Sequence, residues 1–453
     1  MSRSIDVFMT YGQGGWNQQF RQTVLFGPGE TENRVINLYP ESTGQVFDGF
    51  GGAITEAAGY VYAQLNAEQK KTVMETYFSP DRMNYQFVRI PIDSCDFSLS
   101  PYAASSLPDL SDFSLERAEK YIFPMLDDAE RAAGRRIPIL LSPWSPPAYM
   151  KTNGDRLHGG KLKDEYRHAW AEYLCRYISA FRERGYHVRA LTLQNEAKAV
   201  QPWDSCVFTA EEEKRFLRDF VWPAMQKHQL TDVAVYIWDH NKERVFEWMR
   251  DIIDEETSPM IAGAAVHWYS GDHFDALDLC RRRFPDKKII LSESCIEFCK
   301  FDVSDSVGAA MLLSHEVMGD LNHGISAFFD WNMILDAQGG PNHAAGYCLA
   351  PFHYDSEKQK LMPHLIARYY EHFARAVRPG AVRIETTRFS EAVEVTAWKN
   401  PDRTLTGVLI NRTEETQPVF IRLEEQEAAL ALFPQSIASF RIREEGGRIG
   451  AVQ

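Results

Sequence analysis

Two glutamates that each follow an apolar run are the residues of this sequence best placed to do chemistry. Glu196 closes the run Leu191-Thr192-Leu193-Gln194-Asn195, and Glu293 closes the run Ile289-Ile290-Leu291-Ser292. Short apolar runs of this kind are typical of buried parallel strands, so each glutamate would stand at the carboxyl end of a strand. Two carboxylates held across one cleft can serve as proton donor and as nucleophile or base on a glycosidic bond.

Six further apolar runs alternate with helical patterns, which makes eight strand–helix units. Eight such units over roughly 290 residues predict an α/β fold, a (β/α)8 TIM barrel, whose chemistry lies on the loops after the strands. A doubly wound open sheet is the alternative, and the lack of Gly-x-Gly-x-x-Gly after the first strand weakens it. The predicted strands are 45–49, 86–91, 137–142, 190–194, 233–238, 261–267, 288–292 and 325–330.

Short alternating strands with turns flank the barrel on both sides. Residues 1–42 and 377–453 carry this pattern, and Arg378-Pro379-Gly380 marks the later boundary. Spaced short strands predict a smaller β-sandwich domain. We therefore expect a barrel over 43–376 and a discontinuous sandwich that the N-terminal strands join.

The charge balance limits the partners. Among 453 residues, 49 are basic and 63 acidic, which gives a formal net charge of −14 at pH 7. A field of that sign repels nucleic acid and anionic membrane surfaces.

The sequence shows no pattern typical of an exported or membrane-spanning protein. The first ten residues lack the apolar core of a secretory signal, and no apolar run approaches the roughly 18 residues of a membrane span. The seven scattered cysteines do not resemble a disulfide framework. We expect a cytoplasmic protein without nucleic-acid or integral membrane contact.

Aromatic and amide side chains follow several of the predicted strands. They are Trp144 after the third strand, Asn195 after the fourth, Tyr269 after the sixth and Trp331 after the eighth. Aromatic faces cover the C–H patches of a pyranose, while amides and carboxylates hold its hydroxyls, so this mixture predicts a saccharide-binding cleft. His240 and His267 fit ligand contact and support of a carboxylate equally well.

Eight short motifs lie in order along most of the chain. They are Asp-Gly-Phe-Gly-Gly-Ala-Ile-Thr-Glu at 48–56, Ser-Pro-Trp-Ser-Pro-Pro at 142–147, Met-Lys-Thr-Asn-Gly at 150–154, Gln-Asn-Glu at 194–196, Ala-Val-His-Trp-Tyr at 265–269, Ser-Glu at 292–293, Asp-Trp-Asn at 330–332 and Gly-Gly-Pro-Asn at 339–342. The ordered set resembles glycoside hydrolase family 30, the family of acid β-glucosidase, and it is far more specific than any single motif.

The resemblance implies roles for particular residues. Glu196 corresponds to the general acid/base and Glu293 to the nucleophile of a reaction that retains anomeric configuration. Together with the strand-end pattern, the resemblance implies seven substrate-binding residues, which are Glu56, Trp144, Asn195, Trp203, His267, Tyr269 and Trp331. Glu56 matches the acidic residue that binds glucose after the first strand. Gly346 departs from the glucosylceramidase pattern, which carries an asparagine there, so xylose, fucose, galactose and glucuronic acid stay open beside glucose.

A retaining mechanism makes further demands on the two glutamates. Their carboxyl groups should stand about 5 to 5.5 Å apart, whereas inversion needs about 6.5 to 9.5 Å to admit a water molecule. We expect the negative charge of Glu293 to raise the pKa of Glu196, so that Glu196 keeps its proton. This chemistry needs neither metal nor cofactor. The expected substrate is a small β-glycoside or an oligosaccharide, with β-1,6-glucan among the alternatives.

Two alternatives from other classes use the same strand ends. One is a non-catalytic carbohydrate-binding barrel, which the presence of both glutamates disfavours. The other is a metal-dependent barrel hydrolase built on His240, His267, Asp239 and Asp330. The first strand lacks the His-x-His that such barrels usually display.

Overall fold

A computed structural model describes residues 3–12 and 18–444 of the chain. Eight parallel strands form a closed barrel in which each strand pairs with its neighbours in the sequence, and the last pairs with the first. The predicted TIM barrel is therefore confirmed. The strands, labelled in chain order, are β1 Gly49–Ala53, β2 Phe87–Ile92, β3 Pro138–Pro143, β4 His187–Thr192, β5 Ala234–Asn241, β6 Gly263–His267, β7 Lys288–Glu293 and β8 Ile325–Asp330.

The prediction of the first barrel strand over 45–49 is wrong. Residues up to Phe47 end the strand Val35–Phe47, which pairs with Ala381–Arg388 in the sandwich. The barrel strand β1 begins at Gly49, whose φ of 142° lies in the region that favours glycine. Only Asp48 separates the two strands, so no loop pattern marks the change from one sheet to the other.

Helices follow the barrel strands as the alternating pattern predicts. The segment after 209 shows why the local sequence starts a helix: the Thr209 hydroxyl accepts from the Glu212 amide at 3.1 Å, and the Glu212 carboxylate accepts from the Thr209 amide at 2.8 Å. The α-helices are Glu56–Ala63, Ala67–Phe78, Phe123–Ala133, Arg167–Glu183, Ala210–Phe216, Trp222–Lys227, Val245–Ile252, Phe274–Arg283, Ser306–Asn322 and Leu365–Ala376. Within residues 3–12 and 18–444, none is long and apolar enough to cross a membrane.

The N-terminal strands join the C-terminal ones, as predicted. Arg3–Tyr11 pairs antiparallel with Ser436–Glu444, and Val35–Phe47 lies between Ala381–Arg388 and Gln417–Leu423. Alternate side chains of these strands form one apolar core. The ten strands, in sheet order, are Gln18–Leu25, Arg3–Tyr11, Ser436–Glu444, Leu405–Asn411, Val393–Lys399, Ala381–Arg388, Val35–Phe47, Gln417–Leu423, Gln426–Leu432 and Gly27–Pro28.

The chain divides into two compact units, and their boundaries differ from the predicted domains. One unit contains 50–301 and 325–363, and the other contains 1–49, 302–324 and 364–453. The helices Ser306–Asn322 and Leu365–Ala376, which the predicted 43–376 barrel included, thus group with the sandwich. The Asn322 side chain donates to the Val395 carbonyl at 2.9 Å, and His372 lies 2.8 Å from the Thr10 hydroxyl.

Candidate active site

The loops after the barrel strands enclose a cavity of about 230 Å³. Its walls include seven of the predicted site residues, namely Trp144, Asn195, Glu196, Trp203, Tyr269, Glu293 and Trp331. These residues come from different strand ends and from loops far apart in the sequence. The barrel therefore brings both glutamates to one small cavity.

Glu196 stands just beyond β4 on a backbone that few residues adopt. Its φ is 49°, and its amide donates to the Asp239 carbonyl at 2.8 Å, which fixes the turn. Its Oε1 lies 3.4 Å from His267 Nδ1 and 3.7 Å from His240 Nδ1. Both nitrogens are buried and have no hydrogen-bond partner among the described residues. Both imidazoles thus turn a nitrogen toward the Glu196 carboxylate.

Glu293 ends β7 and is held by two donors. Arg89 Nη1 donates to its Oε2 at 2.6 Å, and the Tyr269 hydroxyl donates to its Oε1 at 2.8 Å. Each carboxylate oxygen therefore has a fixed partner, which orients the group toward the cavity.

Arg89, on β2, organises the floor of the site. Its guanidinium is fully buried and, besides Glu293, donates to Ser142 Oγ at 3.1 Å, Asn195 Oδ1 at 2.8 Å and Asp239 Oδ2 at 2.8 Å. A planar fork can serve several acceptors at fixed angles, which a lysine ammonium cannot do. One side chain thus sets the relative positions of a predicted catalytic residue, an amide and a second carboxylate.

Asp239, on β5, is a second residue that binds several side chains of the site. Besides Arg89, it accepts from Thr192 Oγ1 at 2.6 Å and Ser292 Oγ at 2.5 Å, and its Oδ1 lies 3.0 Å from His267 Nε2. Burial raises the pKa of this carboxyl, but the Arg89 charge and the His267 contact outweigh burial and lower the pKa well below its usual range. Asp239 therefore stays ionised and holds the imidazole of His267 in place.

Two indoles line one side of the cavity. The rings of Trp144 and Trp331 stack with centroids 5.4 Å apart and planes 18° apart. The Arg89 guanidinium lies 4.8 Å from the first ring and 5.5 Å from the second. Both indoles are nearly fully buried, so they are rigid walls. Trp203 and Tyr269 pack on the same apolar cluster.

The protonation pattern differs from the one expected. Burial lowers the pKa of His267, but the charges of Glu293 and Asp239 outweigh burial and raise it to about 9, so the ring is cationic at neutral pH. Burial raises the pKa of Glu196, yet contact with His267 and the charges of His240 and His267 prevail and lower it. Burial and the neighbouring Glu196 raise the pKa of Glu293 despite His267 and Arg89. The expected direction for the pKa of Glu196 is therefore wrong, because the two imidazoles outweigh burial and the charge of Asp239.

Two residues predicted to bind substrate do not line the cavity. His267 is fully buried behind Glu196 and acts on that carboxylate rather than on a ligand. Glu56 is the first residue of the helix Glu56–Ala63, capped by Thr55, and its carboxylate pairs with Arg117 and accepts from the Leu99 amide at 2.9 Å. The turn into this helix carries the side chain away from the cavity wall.

Asp96 is an acidic residue that lines the cavity and that the sequence analysis missed. It is half-buried, and its Oδ2 accepts from Asn342 Nδ2 at 3.1 Å. Burial and the charges of Glu293 and Glu196 raise its pKa. The sequence feature that could have pointed to Asp96 is Ser-Cys-Asp-Phe at 94–97, which lies just after β2. Asp93 is nearer the strand, but its carboxylate is bound by Tyr173 at 2.7 Å.

The segment after Gly339-Gly340-Pro341 forms another wall of the cavity. The His343 amide donates to the Asp96 carbonyl at 3.0 Å, and the His343 ring lies 3.1 Å from Asp204 Oδ2. Gly346 lines the cavity, as expected of the position that departs from the glucosylceramidase pattern. A Cβ added there would meet nothing nearer than Asn342 at 3.5 Å, so the position has room for a side chain.

The residues that the sequence analysis considered as metal ligands make other interactions in the structure. Asp239 and His267 contact each other, and burial raises the pKa of Asp330 well above its usual range, which disfavours the charged form that a cation needs. Across residues 3–12 and 18–444, no group of three or more histidine, cysteine, aspartate or glutamate side chains is arranged to hold a metal ion.

Carboxylates at the ends of β4 and β7 beside stacked indoles form the arrangement with which TIM barrels hydrolyse glycosidic bonds. The architecture is thus that of the barrel glycoside hydrolases. The model of the glycosyl hydrolase family 30 TIM-barrel domain matches residues 47–377, and that of the family 30 β-sandwich domain matches 380–440. The chain belongs to glycoside hydrolase family 30.

The chain is similar to several known proteins over most of its length. The crystal structure of SrfJ from Salmonella typhimurium is 33% identical with a TM-score of 0.93, covering 98% of this chain and 100% of that one. The endo-β1,6-glucanase BT3312 is 26% identical with a TM-score of 0.87, covering 97% and 98%. Lysosomal acid glucosylceramidase of Mus musculus is 29% identical over 408 residues, which are 85% of this chain and 79% of that protein.

We expect Arg89→Lys to keep the barrel folded but to lower kcat/KM by at least about 100-fold. Lysine keeps the positive charge but not the fork that positions Glu293, Asn195 and Asp239, and small misplacements of catalytic groups are costly. Steady-state kinetics on an aryl β-glycoside measures the loss, and thermal unfolding reports on the fold.

Arg156→Lys is the matched control. Arg156 is also buried and binds two carboxylates, Asp204 at 2.8 Å and Asp93 at 3.4 Å, but it contacts neither Glu196 nor Glu293. We expect it to lose stability with a much smaller fall in kcat/KM. Equal losses of activity in the two variants would contradict the special role of Arg89.

We expect His267→Gln to shift the basic limb of the kcat/KM profile upward by roughly one pH unit. Removing the imidazolium removes a charge that lowers the pKa of Glu196, so the acid form of Glu196 persists to higher pH. His240→Gln should shift the limb less, because its nitrogen is farther away and burial lowers the pKa of His240. A basic limb that stays in place or moves to lower pH in His267→Gln would count against this arrangement.

Proposed function

We propose that this protein is a retaining β-glycosidase that acts on small β-linked glycosides or oligosaccharides. The observation that carries the proposal is the meeting of Glu196 and Glu293 on one small, indole-walled cavity, with Glu293 fixed by Arg89 and Tyr269. Family membership supports the same reaction class.

In the proposed first step, Glu293 attacks the anomeric carbon while Glu196 gives its proton to the leaving glycosidic oxygen. The sugar is then held as an ester of Glu293, and Glu196 as base removes a proton from the water that releases it. The Tyr269 hydroxyl, which donates to Glu293 Oε1 at 2.8 Å, stabilises the ionised form of Glu293 that attacks. The cationic His267, 3.4 Å away, is placed to stabilise the carboxylate of Glu196 between the two steps.

The walls of the cavity suggest how one sugar ring is held. Trp331 and Trp144 offer apolar surface, and Asp96 with Asn342 offers hydrogen-bond partners for hydroxyls. Because Asn195 accepts from Arg89 through Oδ1, its NH2 group is the end that can face a ligand. A volume of about 230 Å³ lies below the roughly 300 to 1,000 Å³ of sites for drug-sized ligands and suits a single monosaccharide.

We propose a β-glucoside as the preferred substrate. Two relatives are named for glucosyl substrates, one as a glucosylceramidase and one as an endo-β1,6-glucanase. The endo-β1,6-glucanase matches nearly the whole length of this chain in structure, which makes a β-1,6-linked glucan the second candidate. Xylosides, fucosides, galactosides and glucuronides are the remaining alternatives, because Gly346 presents no side chain to the cavity.

We also propose a cytoplasmic location. All seven cysteines are free thiols, six of them buried, which suits a reducing compartment. Fractionation of the producing cells tests this, and recovery of the protein outside the cytoplasm would contradict it.

Glu293→Gln should lower kcat by at least about 1,000-fold, since an amide cannot form the glycosyl ester. Glu196→Ala should spare aryl glycosides with good leaving groups, which need no protonation, and azide should restore its turnover by forming a glycosyl azide of retained configuration. Kinetics with two aryl leaving groups, together with NMR of the anomer formed first, measures both effects. Near wild-type rates in Glu293→Gln, or a first product of inverted configuration, would contradict the mechanism.

The sugar can be identified with aryl β-glucoside, xyloside, galactoside, fucoside and glucuronide, plus β-1,6-glucan. We expect the glucoside to have the highest kcat/KM among the aryl substrates. Gly346→Asn should raise the glucoside preference several-fold, because the amide fills the space beside the ring and adds hydrogen bonds; Gly346→Ala is the control for volume alone. A preference for another sugar that Gly346→Asn leaves unchanged would refute the glucose assignment.

A further inference from the structure

The sandwich unit carries a groove of its own, larger than the catalytic cavity. Its volume is about 680 Å³, against about 230 Å³ for the cavity between the glutamates. No described residue lines both, so the reaction at the glutamates does not explain the groove. We call it the arginine groove, after the five arginines in its walls, which are Arg21, Arg375, Arg378, Arg441 and Arg443.

The sheet register builds the groove. Thr23 pairs with Asp6, Asp6 with Arg441, and Arg441 with Thr406, so these four residues form one row across four strands. Their apolar sequence neighbours, such as Val7 and Phe440, point the other way into the sandwich core. Strand alternation therefore gathers the polar side chains on one outer face.

The helix Leu365–Ala376 and the residues after it complete the groove. Arg375, Ala376 and Arg378 lie in its walls beside Asn400 and Thr404. The helix is fixed on this face because His372 stacks on Phe8 with ring centroids 4.8 Å apart and lies 3.1 Å from Ser439 Oγ. The cations at its end are thus held at a defined place relative to the strands.

The groove is cationic on an acidic protein. Its walls hold five arginines and two aspartates, Asp6 and Asp402, a net formal charge of +3 in a chain of −14. Outside the walls, Glu371 lies 3.5 Å from Arg375. Each aspartate already forms an ion pair, since Arg443 lies 2.5 Å from Asp6 and Arg441 lies 3.1 Å from Asp402. Arg21 lies over the Phe8 ring at 4.8 Å. A guanidinium fork binds oxyanions through paired hydrogen bonds, so this surface suits an anionic ligand.

The groove also presents hydroxyl oxygens. Thr23 donates its hydroxyl hydrogen to Asp6 at 2.7 Å, and Thr404 donates to Asp402 at 2.6 Å. Their lone pairs therefore remain to accept hydrogen bonds from hydroxyl groups of a ligand. An isolated inorganic anion would use the guanidinium groups alone. A ligand with both oxyanions and hydroxyl groups would use both sets.

We propose that the arginine groove binds an acidic oligosaccharide, a short glycan that carries carboxylate, sulfate or phosphate groups. The guanidinium groups bind the oxyanions, and the threonine hydroxyl oxygens accept from the sugar hydroxyls. The groove thus adds a second, non-catalytic saccharide site on the sandwich. It does not depend on which sugar the barrel hydrolyses.

Titration calorimetry on the full-length protein tests the proposal with trigalacturonate as the acidic probe, maltotriose as the neutral probe of equal length and inorganic phosphate as the bare oxyanion. We expect trigalacturonate to bind more tightly than either of the others. Raising sodium chloride from about 50 mM to about 500 mM should weaken it several-fold, because charge pairs at the surface are screened. The double variant Arg21→Gln with Arg441→Gln should bind it at least about tenfold more weakly and should hydrolyse aryl glycosides as the wild type does.

The double variant Arg176→Gln with Arg250→Gln is the matched control. Both arginines are exposed and paired with carboxylates, Glu183 and Asp251, on barrel helices. It should bind trigalacturonate as the wild type does. In the opposite direction, Asp402→Asn should tighten binding several-fold, since it removes a negative charge and releases Arg441.

Three outcomes would overturn the proposal. The first is trigalacturonate binding that the control variant weakens as much as the groove variant does. The second is phosphate that binds as tightly as trigalacturonate, which would make the groove an oxyanion site without saccharide recognition. The third is no binding of trigalacturonate to a wild-type protein that unfolds cooperatively and hydrolyses aryl glycosides.

Discussion

One buried guanidinium holds the centre of the barrel together. Moving a charge of this size out of water costs several kcal/mol, so Arg89 is tolerated only because its neighbours satisfy it. It makes four hydrogen bonds, two of them to the carboxylates of Glu293 and Asp239. The acceptors lie on four other strands or strand ends. The hydrogen bonds that satisfy Arg89 inside the barrel therefore also fix the positions of site residues.

The backbone at the strand ends is strained where function requires it. Asp93, Glu196, Asp239 and Asn332 all have φ between 49° and 64°, although none is glycine. Each such residue costs on the order of 1 kcal/mol or more, and the cost is tolerable only on a rigid frame. The closed sheet supplies that frame. The strain turns Glu196 toward the imidazoles of His267 and His240 instead of letting it point into solvent.

The electrostatics follow from the same layout. His267 is cationic because Asp239 and the two glutamates surround it, and it then acts on Glu196 from 3.4 Å. Charge is thus shared over a cluster in which no carboxylate titrates alone. The two chemically similar glutamates differ in their partners, because Arg89 binds Glu293 and His267 lies beside Glu196.

Apolar runs and strand-end motifs were enough to predict the barrel, the sandwich and the meeting of the two glutamates. Three features could not be predicted from the sequence, each for a physical reason. The first barrel strand was misplaced because only Asp48 separates it from a sandwich strand. The motif match that predicts Glu56 as a substrate-binding residue does not show which way the turn after β1 directs its side chain. Arg89 was missed because a buried cation inside an apolar strand makes sense only with its acceptors, which are distant in the sequence.

The central claim is that Glu293 forms a bond to the sugar. A 2-deoxy-2-fluoro aryl β-glycoside of the preferred sugar slows the second step more than the first, so mass spectrometry of the inactivated protein should detect the trapped species. The mechanism predicts a mass increase of one fluoroglycosyl group per chain, located in the peptide that contains Glu293. A label on a different residue, or continued turnover of the ordinary aryl substrate with no label at all, would contradict it.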